Sequence, residues 1–208
     1  MESRASEDKR PLVVVISGPS GVGKDAILSR MKKLAVPGEY IVTATTRPKR
    51  PGEKDGLDYS FLSQAEFERM IEAGQLLEHA SVYGYYYGVP FQPVKEALKK
   101  SSDVFIKVDV QGAKTIKDKL PQAVLIFITP PSYEELTRRL KERLTESPET
   151  LRRRLKTASE EMQKLPVFDY AVVNQQGKLD QAVAEIQAII SAEKCRLPQR
   201  HISLPRPD

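Results

Sequence analysis

The sequence predicts an α/β fold built on a mostly parallel, doubly wound sheet. Three observations carry that reading. Short, continuous apolar runs rich in β-branched residues recur along the chain, as strands buried on both faces require. Amphipathic helical patterns separate them, and strands alternating with helices give parallel neighbours through crossover connections. A glycine-rich stretch joins the first apolar run to the first helical pattern, where a phosphate-binding loop belongs.

In chain order, LVVVIS (Leu12 to Ser17) is the first predicted strand, and Ala26, Ile27, Met31 and Leu34 give the helix after it an apolar face. Pro/Gly-rich punctuation at Arg47 to Gly56 and Gly84 to Pro93 marks an irregular insertion of about fifty residues. Inside it, Phe67 to Leu77 reads as helix. VFIKVD (Val104 to Asp109), AVLIFIT (Ala123 to Thr129) and YAVVN (Tyr170 to Asn174) are the later strands. Leu136 to Leu144, Leu151 to Met162 and Leu179 to Glu193 are the later helices. The tail RLPQRHISLPRPD reads as unstructured or loosely docked.

With 208 residues, 40% apolar and 29% charged, the chain fits one soluble domain with insertions. No apolar run approaches the roughly 18 residues of a spanning helix, so no membrane partner is expected. The first ten residues, MESRASEDKR, resemble neither a secretory signal nor an intact transit peptide. The single Cys195 cannot form an internal disulfide, which suits a reducing compartment. The net charge is +5, and Leu136 to Lys164 holds nine Lys/Arg against five Asp/Glu. Such a cluster binds nucleic acid or holds the phosphates of a small ligand; composition does not choose.

The stretch SGPSGVGKDA (Ser17 to Ala26) supplies the phosphate loop: Gly18, Pro19, Ser20, Gly21, Val22, Gly23 and Lys24. Its glycines let backbone N–H groups face phosphate oxygens, the following helix adds its positive end, and Lys24 reaches the β- and γ-phosphates. The bland alternative is a glycine-rich turn with a surface lysine. Asp25 stands where a Mg²⁺-binding hydroxyl is usual. Two readings stay open for it: a metal ligand, or a carboxylate that caps the helix. ATTRPKRPGEKDGLDY places Arg47, Lys49 and Arg50 within four residues, with Tyr59 downstream. Arginine forks hold phosphate bidentately; the alternative is a solvated basic loop. In EHASVYGYYYG, Glu78 can accept from the N1 and N2 edge of guanine, and offers adenine nothing unless protonated. Arg139 and Arg143, four apart, share a helix face. Ser147-Pro148 then starts a second helix bearing Arg154.

The order GPSGVGK, TTRPKRPGEKDGLDY, LLEHASVYGYYYG, VDVQG, FITPPS, VVN resembles the guanylate kinase family over residues 12–195. The resemblance implies a P-loop nucleoside monophosphate kinase fold: a parallel-sheet core, an inserted GMP-binding region and a helical lid. It implies transfer of the γ-phosphoryl of ATP to GMP, giving ADP and GDP, with Mg²⁺. The expected divisions are core 11–42, GMP-binding insertion 43–93, core 94–135, lid 136–161, core 162–196, and flexible tails at 1–10 and 197–208. Arg47, Arg50, Tyr59 and Tyr87 would bind the GMP phosphate, Glu78 the guanine, and Thr43 would sit where a Ser contacts the base. Asp109, taken as the end of its strand, would reach metal-bound water or GMP. Arg139, Arg143 and Arg154 would be lid arginines, and Asn174 would lie by the adenine. With Lys24 and Arg47, those arginines make the catalytic set.

The chain departs from the family pattern at Asp25 (usually Ser or Thr), Val89 (Ser or Thr), Lys107 (Asp or Glu) and Leu144 (Gly). Residues 107 and 109 share a strand face, so Lys107 is expected to point with Asp109. The likeness is nearest the plant organellar type, which implies a plastid or mitochondrion, with the cytoplasm otherwise. A monomer is expected, with a dimer as the alternative. The rival readings are a guanylate-kinase-like scaffold binding phosphorylated peptides, a nucleic-acid binder, and a kinase for another monophosphate.

Overall fold

The structure, a computed structural model, describes residues 10–82, 84–142 and 148–205. Its elements run β1 (Val13–Ser17), α1 (Lys24–Lys33), β2 (Glu39–Tyr40), β3 (Ala44–Thr45), β4 (Ser60–Phe61), α2 (Gln64–Glu72), β5 (Leu76–Val82) and β6 (Tyr85–Pro90). Then come α3 (Phe91–Lys99), β7 (Val104–Lys107), α4 (Val110–Lys119), β8 (Val124–Thr129), α5 (Tyr133–Glu142), α6 (Pro148–Met162), β9 (Tyr170–Val173) and α7 (Leu179–Lys194). No helix among the described residues is long and apolar enough to cross a membrane.

The main sheet is all parallel, in the order β2-β7-β1-β8-β9. Successive side chains of a strand point to opposite faces, and here both faces are covered. Val14 and Ile16 of β1 meet Ile27 and Met31 of α1 and Val183 and Ile186 of α7. Val13 and Val15 meet Val94 of α3 and Ala113 and Ile116 of α4. Double-sided burial explains the unbroken apolar runs. The helix after β1 is packed less broadly than its pattern suggests. Ile27 and Met31 are buried, but Leu34, its C-cap residue, is 44% exposed.

The inserted region is ordered rather than irregular. It forms a second sheet, β4-β3-β6-β5, with β5 and β6 antiparallel. The reading of Phe67 to Leu77 as one helix is corrected. Ser63 and Glu66 form a capping box that starts α2, and Gly74 takes a left-handed φ of 60° that ends it. Leu76 and Leu77 therefore belong to β5. The second Pro/Gly stretch also folds: Tyr85–Pro90 is a strand, and Pro93 sits in the first turn of α3, where no N–H is needed.

The tail is docked through residue 204. Buried Arg200 forks onto Glu193 of α7 at 2.6 and 2.8 Å, and Tyr170 donates to the same carboxylate at 2.7 Å. Ile202 and Leu204 pack on the sheet. Leu136 and Leu140 of α5 pack on Ala158 of α6. Arg143, Leu144 and Ser147 lie outside the described residues.

Candidate active site

The loop between β1 and α1 passes so close to β8 that only glycine fits at its start. A Cβ on Gly18, at φ +135°, would lie 2.2 Å from the Ile128 carbonyl oxygen. At the other end, a Cβ on Gly23 would lie 2.3 Å from Asn174 Nδ2. That amide donates to the Val22 carbonyl at 2.8 Å. Arg139 donates to the same carbonyl at 3.2 Å and to the Asn174 carbonyl at 2.9 Å. Glu135, one turn earlier on α5, accepts from Arg139 Nε at 2.7 Å. Asn174 and Arg139 thus brace the loop from behind.

Lys24 folds back over the loop and donates to the carbonyls of Gly18 and Pro19, the latter at 3.1 Å. Burial holds its ammonium below the ordinary range, against the pull of Glu161, Asp25 and Asp109. The loop also holds an anion of the chain itself. Glu161 of α6 accepts from the Ser20 N–H at 3.2 Å. Burial raises its carboxyl, with Lys24 opposing. A carboxylate oxygen on that N–H stands in for a phosphate oxygen, and marks the loop as an anion cradle.

Asp25 sits in the first turn of α1, two residues after the N-cap position. Gly23 is the N-cap residue and makes no side-chain cap bond. Asp25 Oδ1 accepts from Lys107 Nζ at 2.6 Å, across 82 residues of sequence. β7 ends at Lys107, and Asp109 is the N-cap of α4, accepting from Gly112 N–H at 2.7 Å. Asp109 therefore does not end the strand, although both side chains line the cleft.

The opposite wall comes from the inserted region. Arg47 is buried, and Glu53 grips its fork at 2.8 and 2.9 Å. The guanidinium lies 5.3 Å from the Tyr59 ring centroid, and that ring packs edge-on against Tyr87 at 6.1 Å. Glu53 also accepts from the Arg50 N–H at 2.8 Å. Burial works to raise the Glu53 carboxyl, but Arg47 and the Arg50 N–H hold it below the ordinary range. Deeper in, Glu78 on β5 is only 3% exposed. Its carboxyl is pushed up to about 8, first by burial and then by Asp109. α4 approaches it so closely that a Cβ on Gly112 would lie 2.8 Å from Glu78 Oε1.

One cleft gathers most of the expected residues. Ser20, Gly21, Gly23, Lys24 and Asp25 of the loop and α1 line it together with Thr43, Arg47, Arg50, Tyr59, Glu78, Tyr87, Asp109 and Arg154. Gly18, Pro19, Val22, Arg139 and Asn174 are not among its lining residues. Arg143 falls outside the described residues.

Sequence reading missed Glu161, Glu53 and Glu135, and saw Lys107 only as a departure. Two of these carried a signal. Glu135 precedes Arg139 by four residues, and Glu161 follows Arg154 by seven, both same-face helical spacings. Among the described residues no cluster of three or more His, Cys, Asp or Glu forms a metal cage. Mg²⁺ needs none, since it takes one or two carboxylates with phosphate oxygens and waters. Asp25, whose carboxylate opens on the cleft, fits that donor set.

A family model described as guanylate kinase matches residues 9–193. Guanylate kinase 2, chloroplastic/mitochondrial, of rice (Oryza sativa subsp. japonica) is 44% identical over 94% of this chain and 69% of its own length. Guanylate kinases of Desulfitobacterium hafniense and Streptococcus agalactiae are 43% and 46% identical, over 93% and 91% of this chain and 96% and 90% of theirs. The crystal structure of guanylate kinase from Anaplasma phagocytophilum superposes with a TM-score of 0.73 at 32% identity, covering 90% of this chain and 88% of that one. With a family model spanning nearly the whole chain and relatives this similar from end to end, the chain belongs to the guanylate kinase family.

Proposed function

We propose that the cleft transfers the γ-phosphoryl group of ATP to GMP, giving ADP and GDP, with the residues above in the following roles. One observation carries the reading. A lysine-bearing phosphate loop, a second arginine–tyrosine anion site and a buried carboxylate share one cleft. The loop takes the donor's phosphates. Lys24 leaves the Gly18 and Pro19 carbonyls for the β- and γ-phosphates, and Glu161 gives up the Ser20 N–H to a phosphate oxygen. Arg47, Arg50, Tyr59 and Tyr87 hold the acceptor phosphate. Glu53 fixes the Arg47 fork in advance, so little rotamer freedom is lost on binding. Glu78, ionised on binding, accepts from guanine N1–H and N2–H, and Thr43 contacts the base. Phosphoryl transfer demands positioning and charge stabilisation. Arg154 and Arg143 supply charge from the lid, while Arg139 and Asn174 keep the loop in shape on the donor side. Asp25 would hold Mg²⁺, which when bound neutralises phosphate charge. No general base is required, because a phosphate monoester with a second pKa near 6 is mostly ionised at neutral pH.

In this reading 43–93 is the GMP-binding part and 136–161 the lid that excludes water, on a core of 11–42, 94–135 and 162–196. The protein acts as a monomer. The name of the rice relative supports a plastid or mitochondrial site of action. A peptide-binding scaffold has no use for the Lys24 loop, which this chain keeps. The test is ADP formation from ATP and Mg²⁺ with GMP, AMP, CMP or UMP as acceptor. GMP should be preferred by at least about 10³-fold, as pairing of a buried polar group allows. Absence of GMP-dependent ADP formation would overturn the reading.

A further inference from the structure

The Lys107 side chain touches both anion sites of the cleft. Its ammonium lies 2.6 Å from Asp25 Oδ1 on the phosphate-loop helix and 4.0 Å from the Tyr59 ring centroid on the acceptor side. The two partners differ in freedom. The Asp25 side chain is 64% exposed and can turn to a new partner, whereas that of Lys107 is 12% exposed. A buried ammonium needs an anion or a hydrogen-bond acceptor wherever it settles. Burial alone would lower its pKa; Asp25 and Tyr59 instead hold it above the ordinary range, so it stays charged.

We propose that Lys107 is a positioning residue that couples the two substrates, an inference resting on the guanylate kinase reading above. Without donor, Asp25 holds the ammonium. A metal–triphosphate brings a divalent cation that competes for Asp25, and the displaced ammonium finds its next anion on the acceptor phosphate beside Tyr59. Donor binding therefore tightens acceptor binding, and the reverse by the same factor. The departures at 25 and 107 then form one unit: a carboxylate on the loop and a lysine that neutralises it until the metal arrives.

The experiment is calorimetric titration of GMP, with and without a non-hydrolysable ATP analogue plus Mg²⁺. In the native protein the analogue should tighten GMP about tenfold, as a charge-assisted hydrogen bond can supply. Lys107→Met should bind GMP weakly and reduce the coupling to less than about twofold, while Lys107→Arg, which keeps the charge, should retain most of it. Asp25→Ser supplies a gain that misfolding cannot imitate. With the ammonium already released, GMP should bind about three- to tenfold tighter than to the native protein when the analogue is absent. Undiminished coupling in Lys107→Met, no tightening in Asp25→Ser, or native GMP binding indifferent to the analogue would each overturn the inference alone. A native protein that binds no GMP would overturn the guanylate kinase reading beneath it.

Discussion

Replacing Glu78 by Gln should stabilise the ligand-free protein while crippling GMP binding, and the stabilisation should emerge only as the pH rises. The carboxyl is 3% exposed and displaced from 4.5 to about 8, mainly by burial. Between those values the unfolded chain has lost the proton and the folded chain still holds it. The folded state binds more protons, so its stability falls as the pH climbs through that window. At 1.36 kcal/mol per pH unit the displacement corresponds to an upper bound of about 5 kcal/mol, and relaxation with water entry brings it to about 2–3 kcal/mol. A glutamine does not titrate. At pH 4.5 and below both side chains are neutral, and the two proteins should melt together. At pH 8.5 the variant should melt about 4–12 °C higher, at 2–4 °C per kcal/mol for a chain of this size. Saturating GMP should reverse the order, because the variant loses a charged hydrogen bond worth about 1.5–3 kcal/mol, or roughly 10- to 150-fold in affinity. Melting curves at both pH values, with and without GMP, give all four comparisons. A melting difference that does not change with pH, or unchanged GMP affinity, would refute the reasoning.

The same ionisation should appear in guanosine binding, which involves no phosphate. Affinity should rise as the pH increases towards about 8, by up to about tenfold per pH unit, and level off beyond it; titration calorimetry across that range checks this. Arg139→Ala should raise the KM for ATP more than that for GMP, because the bonds lost are those bracing the loop. Arg154→Ala should instead lower kcat, by about 10³-fold if it meets charge only in the transition state; steady-state kinetics separate the two. Arg200→Ala strips a buried partner from Glu193 and should cost about 3–5 kcal/mol of stability, with both KM values unchanged, as read by urea unfolding and the same assay.

What could be read from the sequence follows the physics of each region. The core strands were readable because double-sided burial demands unbroken apolar runs, and β1, β7 and β8 have them, while the edge strand β9 keeps an apolar run with only Val172 fully buried. The inserted sheet was not. β3 and β4 have two residues each, too few for any period, and in Tyr85–Pro90 consecutive tyrosines face different surroundings: Tyr86 stacks on Phe67, while Tyr87 and Gly88 line the cleft. The phosphate loop was readable from its glycine spacing together with its place between an apolar strand and an amphipathic helix. The partners that set its charges were not, because Asp25 meets Lys107 across 82 residues and Ser20 meets Glu161 across 141. Local pattern cannot anticipate a pair that only the sheet order brings together. To the two open readings of Asp25 the structure adds an ion pair with Lys107, which neither reading included.

The carboxylates of the cleft divide by position, and the division shapes what the site accepts. Glu53 and Glu135 lie behind the cleft lining and grip Arg47 and Arg139, whose guanidinium groups also donate to backbone carbonyls. Asp25 and Glu161 stand on the cleft side, against Lys107 and the Ser20 N–H, where a phosphate must replace them or a metal must recruit them. Glu78 stands apart, held neutral by burial until a base offers it N–H donors. In the proposed reading a ligand matches several conditions at once: phosphates to relieve Glu161, a divalent cation to relieve Asp25, and a guanine edge to ionise Glu78. A polyanion without metal or base meets only the first. Part of the basic excess of the α5–α6 segment is likewise already engaged. Arg138 and Arg139 are already paired with Glu135, and paired cations release few counterions when a phosphate backbone approaches.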